Sequence, residues 1–386
     1  MNILNSKYGC WIVNGIPFAS KINALFYANQ INTQNIVFYF HDHIWEKFDR
    51  NLLGKIPLSV LYKERAQQLR DSYDYLVLHY SGGSDSHNIL HTFLENKIKL
   101  DEVSVRWAKP LVDGKFYTPN QFDTSAKNGM SEWNFTIKPE LDKLKITNPE
   151  IKINIVDFTN KFDSRLTTVD NIEKRIFDLG MKRGALGSFA QRLDPSFESK
   201  VTLSKSDNTC HIYGVEKPMV FLNGNSIDFC FQDAMMDVAL MPDVMSNNSL
   251  EMFYWTPDLP LLPLEQAYQI ALHLKEKHQR LLNLDHHSPN NLHYRKQLDE
   301  LSQVQKYILY KDSWDFNKFQ VGKPNSARSD WWFWLHETQE IRHLAENFKI
   351  AMNNITSRVD QRMLIDAEGA NVFYPVRTKN FKLLDL

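Results

Sequence analysis

The sequence predicts an α/β protein: a parallel twisted sheet with flanking helices, followed by a mainly helical C-terminal region. Three observations predict it. YDYLVLHY (73–80) is a short apolar run of strand formers, as expected of a strand buried on both faces of a parallel sheet. It runs directly into SGGSDS and then into a helical pattern, and strand-like runs EVSVRW (102–107) and IKINIVDF (151–158) follow with a helical stretch between them. The strand–helix–strand–helix–strand order argues for parallel pairing with right-handed crossovers. From about residue 250 the pattern turns helical.

Taken in order, YGCWIVNGIPFA (8–19) sets an Asn-Gly turn between two alternating runs, a hairpin signal that includes Cys10. Ser20 precedes the helical spacing of KINALFYANQIN and is a candidate N-cap. NIVFYFHDHIWEKF begins as a strand, and 58–72 is an amphipathic helix. After SGGSDS, apolar Ile89, Leu90, Phe93 and Leu94 mark one face of a helix over 86–96. SEWNFTIKPELDKLK (131–145) is helical, with Ser131 as a candidate cap, and CHIYGV (210–215) and MVFLNG (219–224) are later strands around a Glu-Lys-Pro turn. Helical periodicity then fills 263–282, 291–308 and 330–352, and the tail NVFYPVRTKNFKLLDL returns as strands. The expected division is an N-terminal mixed region at 1–72, a central domain at 73–249 and a mainly helical domain at 250–386.

Composition narrows the function classes. The 386 residues are 43% hydrophobic and 24% charged, typical of a globular protein with a sizeable core. A formal net charge of −1 provides no global attraction for nucleic acid or a membrane surface. No stretch reaches the roughly 20 apolar residues of a membrane span, and the N-terminus lacks signal-peptide character, so the expected location is the cytoplasm. Cys10, Cys210 and Cys230 are widely separated and form no CxxC pair, which speaks against a disulfide framework or a structural zinc site.

The chemistry centres on Ser81, Gly82, Gly83, Ser84, Asp85 and Ser86, placed between a buried strand and a helix. Adjacent glycines let backbone amides approach a ligand closely. A helix N-terminus favours an anion by about 0.3–1 kcal/mol at exposed sites. Ser81 and Ser86 can donate to phosphate oxygens. Asp85 would repel phosphate unless a cation lies between them, and a magnesium ion held by Asp85 resolves this. The structural alternative is a polar turn with a helix cap. The position at the carboxyl end of a parallel strand, where such sheets bind ligands, favours the phosphate reading. GxxxxGK[ST] is absent, which excludes the P-loop of kinases and GTPases.

Strand-SGGSDS-helix resembles the SGGxDS signature of the PP-loop ATP pyrophosphatases, the superfamily of asparagine synthetase, NAD synthetase, argininosuccinate synthetase, tRNA thiolases and lysidine synthetase. The resemblance covers about residues 73–160. The later segment order is similar to that of asparagine synthetase-like proteins of bacterial viruses. The resemblance implies an adenine nucleotide alpha hydrolase-like fold, ATP with its pyrophosphate at Ser81, Gly82, Gly83, Asp85 and Ser86, and adenine recognition by backbone around 105–107, Trp107 included. It further implies adenylation of a carboxylate, amide or carbonyl with release of pyrophosphate. In the asparagine synthetase-like version a nitrogen nucleophile, ammonia or an amine, then displaces AMP. The acceptor is a small carboxylic acid or a nucleobase in tRNA or DNA. Asn2 stands where asparagine synthetase has its glutaminase cysteine, so ammonia made within this chain is not expected. The paired cysteines of thiolases and the zinc cysteines of the deazapurine relatives are missing. Sulfur transfer or PAPS reductase-like chemistry, and a non-catalytic ATP sensor, stand as alternatives.

Lys217, in the Glu-Lys-Pro turn, can neutralise departing pyrophosphate, and relatives of asparagine synthetase also use a late lysine. Glu216 can hold magnesium or position a nucleophile. A charged hairpin turn explains both equally well. Glu132 either faces the nucleotide or complements a helix dipole. Arg183 and Arg192 suit an anionic second substrate or a solvated helix face, and Lys323 and Arg328 a further phosphate loop. His41, Asp42, His43, His286 and His287 lack a clean constellation of additional metal ligands, so surface or packing roles are expected. Trp331, Trp332 and Trp334 suit core packing or base stacking. The sequence allows a homo-oligomer and does not specify one.

Overall fold

A computed structural model describes residue 4 and residues 6–106, 133–156, 168–179, 208–214, 217–233, 248–284, 292–311, 313–314, 339–367 and 370–386. The Asn-Gly turn joins β1 (Cys10–Val13) to β2 (Ile16–Phe18) in antiparallel register, with Val13 opposite Ile16. Asn14 (φ 48°) and Gly15 (φ 81°) adopt the paired positive φ of a two-residue hairpin turn. β3 (Ile36–Tyr39) adds to the other side of β1. α1 (Lys21–Gln30) begins at Ser20, whose hydroxyl accepts from the Asn23 amide at 3.5 Å. The short α2 (Asp42–Lys47) follows, and α3 (Leu58–Ser72) covers the segment expected to be helical.

Five parallel strands form the central sheet: β4 (Tyr75–His79), β5 (Glu102–Arg106), β6 (Lys152–Val156), β7 (Thr209–Tyr213) and β10 (Asn248–Met252). Their spatial order is β6-β5-β4-β7-β10, or 3-2-1-4-5 when these five strands are counted along the chain. Strand order therefore reverses between β4 and β7. In an open α/β sheet, the crevice beyond the carboxyl ends of such a strand pair is where ligands bind. α4 (Ser84–Glu95) links β4 to β5, and a π-helical turn at Trp133–Ile137 leads into α5 (Lys138–Thr147) before β6. α6 (Val169–Leu179) lies between β6 and β7 in sequence.

The expected strands at 210–215 and 219–224 both form but do not share a sheet. β7 joins the parallel sheet, whereas β8 (Met219–Asn223) pairs antiparallel with β9 (Ser226–Cys230). β7 and β8 therefore do not pair with each other as a hairpin. The expected boundary at residue 250 falls inside β10. C-terminal to it lie α7 (Leu261–Lys277), α8 (Leu292–Tyr310) and α9 (Gln339–Thr356). The antiparallel pair β11 (Leu364–Ala367) and β12 (Ala370–Phe373) follows, then β13 (Phe381–Asp385), which pairs with β9. The last strand is thereby tied to the middle of the chain.

One continuous apolar core joins the N-terminal sheet, the parallel sheet and the C-terminal helices, from Trp11 and Phe38 through Leu76 and Val103 to Leu262 and Ile355. Buried charges stitch the same regions together. Arg65 of α3 binds Glu251 of β10 at 2.8 Å, and Lys21 of α1 binds Asp233 at 3.0 Å. Among the described residues, no helix is long and apolar enough to cross a membrane.

Candidate phosphate-binding site

The glycine loop leaves β4 at the strand-order reversal. Gly82 has φ +76°, and a Cβ there would stand 2.5 Å from Ile137 Cγ1, so both backbone angle and space require glycine. Gly83 is the N-cap of α4, and among the described residues no side chain caps the helix. The first-turn amides are therefore left for a ligand or water. Within the loop, Ser81 Oγ lies 3.2 Å from Ser86 Oγ and accepts from the Gly83 amide at 3.3 Å, while Ser86 Oγ donates to the Gly83 carbonyl at 3.1 Å. These bonds hold the loop open in one shape. Ser84 Oγ is buried and has no hydrogen-bond partner among the described residues.

The far wall comes from β7. A Cβ on Gly214 would lie 3.1 Å from Asp85 Cβ, so the segment leaving β7 packs directly on the first turn of α4. That contact brings Lys217 Nζ to 2.7 Å from Asp85 Oδ1. Tyr310, the last residue of α8, donates to the same oxygen at 2.6 Å, and Lys217 Nζ sits 5.5 Å from the centre of its ring. Burial and the neighbouring Asp85 push the Tyr310 phenol well above its ordinary range, so it acts here as a neutral donor. Tyr254 donates to the Asp85 carbonyl at 2.8 Å and receives a bond from Asn88, whose side-chain oxygen accepts from Ser313. Asp85 is thus gripped at once by the segments that follow β7 and β10 and by the end of α8.

Of the residues singled out from sequence, Ser81, Gly82, Gly83, Ser84, Asp85, Ser86 and Lys217 come together here. Trp107, Glu216, Glu132, Arg183, Arg192, Lys323, Arg328, His286, His287, Trp331, Trp332 and Trp334 lie outside the described residues. His41, Asp42 and His43 are engaged locally: His41 with the Lys7 carbonyl, Asp42 with the Phe40 amide, His43 with the Tyr39 hydroxyl. Burial raises the Asp42 carboxyl to about 6. The His/Cys/Asp/Glu grouping with metal-ligand spacing among the described residues lies elsewhere.

Sequence reading missed Tyr310, Tyr254, Asn88 and Ser313, because nothing local distinguishes a site tyrosine from a core tyrosine. It also passed over His87 and His91, although their i, i+4 spacing on a helix was legible.

The loop residues fit a polyphosphate: uncapped first-turn amides, a glycine cradle that a Cβ would fill, an orphaned buried hydroxyl and an adjacent lysine. Asp85 fits magnesium as the single carboxylate that such an ion needs beside substrate phosphates and water. All three thiols are buried, and burial pushes Cys10 to about 11, Cys230 to about 12 and Cys210 well up. No protein-family model matches the chain, and no curated protein matches it.

Proposed function

We propose that this chain is an ATP pyrophosphatase of the adenylating type, with an adenine nucleotide alpha hydrolase-like fold. In this reading, ATP lies across the end of the sheet with its terminal phosphates on the first-turn amides of Ser84 and Asp85. An oxygen of the acceptor (a carboxylate, amide or carbonyl of a small acid or of a nucleobase) attacks the α-phosphorus. The bond to the bridging oxygen breaks, and pyrophosphate leaves with that electron pair. Ammonia or an amine then displaces AMP from the adenylated acceptor.

The observation that supports this most is the convergence of Lys217 and Asp85 at the glycine loop. A lysine held 2.7 Å from the loop carboxylate can move onto the departing pyrophosphate without crossing solvent. Charge stabilisation placed in advance at the leaving group is commonly a large catalytic term. Bound magnesium, held by Asp85, would supply further neutralisation of the phosphates. Tyr310 and Tyr254 orient Asp85, and the loop serines hold the amides in place. Protonated, buried cysteines are poor nucleophiles, which favours nitrogen over sulfur transfer.

ATP labelled at the α-phosphate tests the reading. AMP and pyrophosphate formed in the presence of acceptor candidates and ammonia are expected; ADP as the product would refute it, and tight binding without turnover would favour a sensor.

A further inference from the structure

One turn along α4 from the loop, His87 and His91 present their rings on one helix face, with centroids 4.3 Å apart. Glu140 of α5 meets them, its Oε1 standing 3.1 Å from His91 Nε2. One ligand-type atom from each of these three residues lies within 4.8 Å of the other two. We propose that His87, His91 and Glu140 bind one zinc-class divalent transition-metal ion, which pins α4 to α5 beside the phosphate loop.

The donor set selects the ion. Two imidazoles and a carboxylate suit zinc, and three protein ligands leave the fourth position to water. Magnesium and calcium prefer oxygen throughout, so this site is chemically distinct from Asp85. Bonds of about 2.0–2.2 Å in a tetrahedron set ligand atoms roughly 3.3–3.6 Å apart. The His91–Glu140 pair is already near that spacing, and the remaining closure is a side-chain adjustment.

The surroundings are those of a supported metal site. His91 Nδ1 faces Glu95 at 3.5 Å, so an outer carboxylate steadies the ring while Nε2 points to Glu140. His87 Nδ1 lies 3.0 Å from the Tyr80 hydroxyl, and the imidazole also bonds the backbone of Ser313. On metal binding it exchanges one of these bonds for the ion and keeps the other as its orienting contact. Burial pushes His87 down to about 4, which keeps it neutral. Burial alone would raise the Glu140 carboxyl, but its hydrogen bond from His91 and the nearby positive charges hold it below the usual range. Lys143, 3.8 Å from Glu140, is largely exposed and free to turn into solvent as the ion enters.

Full-length protein stripped by chelator and titrated with Zn²⁺ alone, followed by calorimetry and thermal melting, tests the site. One equivalent should bind at least about 100-fold more tightly than to His91→Ala. Zinc should raise the thermal midpoint of the parent protein and not of the variant. Glu140→Gln, which keeps the shape and a hydrogen-bonding oxygen, serves if His91→Ala folds poorly, and it should lose most of the affinity. Asp85→Ala should take up zinc normally. Equal zinc binding by the parent and Glu140→Gln, no stoichiometric uptake by the folded parent, or loss of uptake in Asp85→Ala would each overturn the assignment. The outcome is independent of ATP turnover.

Discussion

Two lysine–aspartate pairs in this molecule use the same chemistry for different ends. Lys21 and Asp233 are sealed, their side chains 1% and 0% exposed. Asp233 also accepts from Trp11 Nε1 at 2.8 Å and from the Val376 amide at 3.0 Å, and Lys21 donates to the Tyr374 carbonyl. This pair ties α1 and β1 to the C-terminal segment, and no ligand can reach it. Lys217 and Asp85 are 13% and 27% exposed and stand beyond the carboxyl end of β4, where strand order reverses. A pair saturated with hydrogen bonds in the core holds a fold together. A pair left open to solvent beside uncapped helix amides is in position to exchange partners with a ligand.

The contrast can be broken first at the sealed pair. Asp233→Ala leaves Lys21 buried without its counter-charge, and removing one partner of such a pair is expected to destabilise the fold by about 3–5 kcal/mol, read by denaturant unfolding. At the open pair the effect should move from stability to rate. Asp85→Ala is expected to slow pyrophosphate release by about 10²–10³-fold with the unfolding midpoint nearly unchanged. Comparable losses of stability in the two variants would remove the distinction.

Gly82→Ala sharpens the comparison within the loop itself. The positive φ strains alanine and its Cβ meets Ile137, so nucleotide affinity should fall by about 1–3 kcal/mol, measured by calorimetry. A third pair sets the lower bound. Lys379 and Glu46 form an ion pair with both side chains near half exposure, and Glu46→Ala should change stability by about 1 kcal/mol or less and leave turnover untouched.

Much of the scaffold was legible because its signals are local. The 58–72 helix, the Ser20 cap and the Asn-Gly hairpin each depend on a few neighbouring residues, and each forms as read. The strand–glycine loop–helix unit was legible for the same reason, since strand formers, paired glycines and a helical apolar face adjoin one another. The strand character of 210–215 and 219–224 was legible too, but which sheet each run enters was not, because only pairing with distant strands decides it.

By itself, the sequence determined that Ser81 to Ser86 would stand between a buried strand and a helix, since backbone preference and apolar spacing act over a turn or two. Only the tertiary structure decided that Lys217, 132 residues away, and Tyr310, 225 residues away, would close on Asp85, and that Glu140 would meet His91. Those meetings follow from the strand order and from which helices cover the sheet. Both are settled by burying one shared core, and no local stretch of residues encodes that outcome.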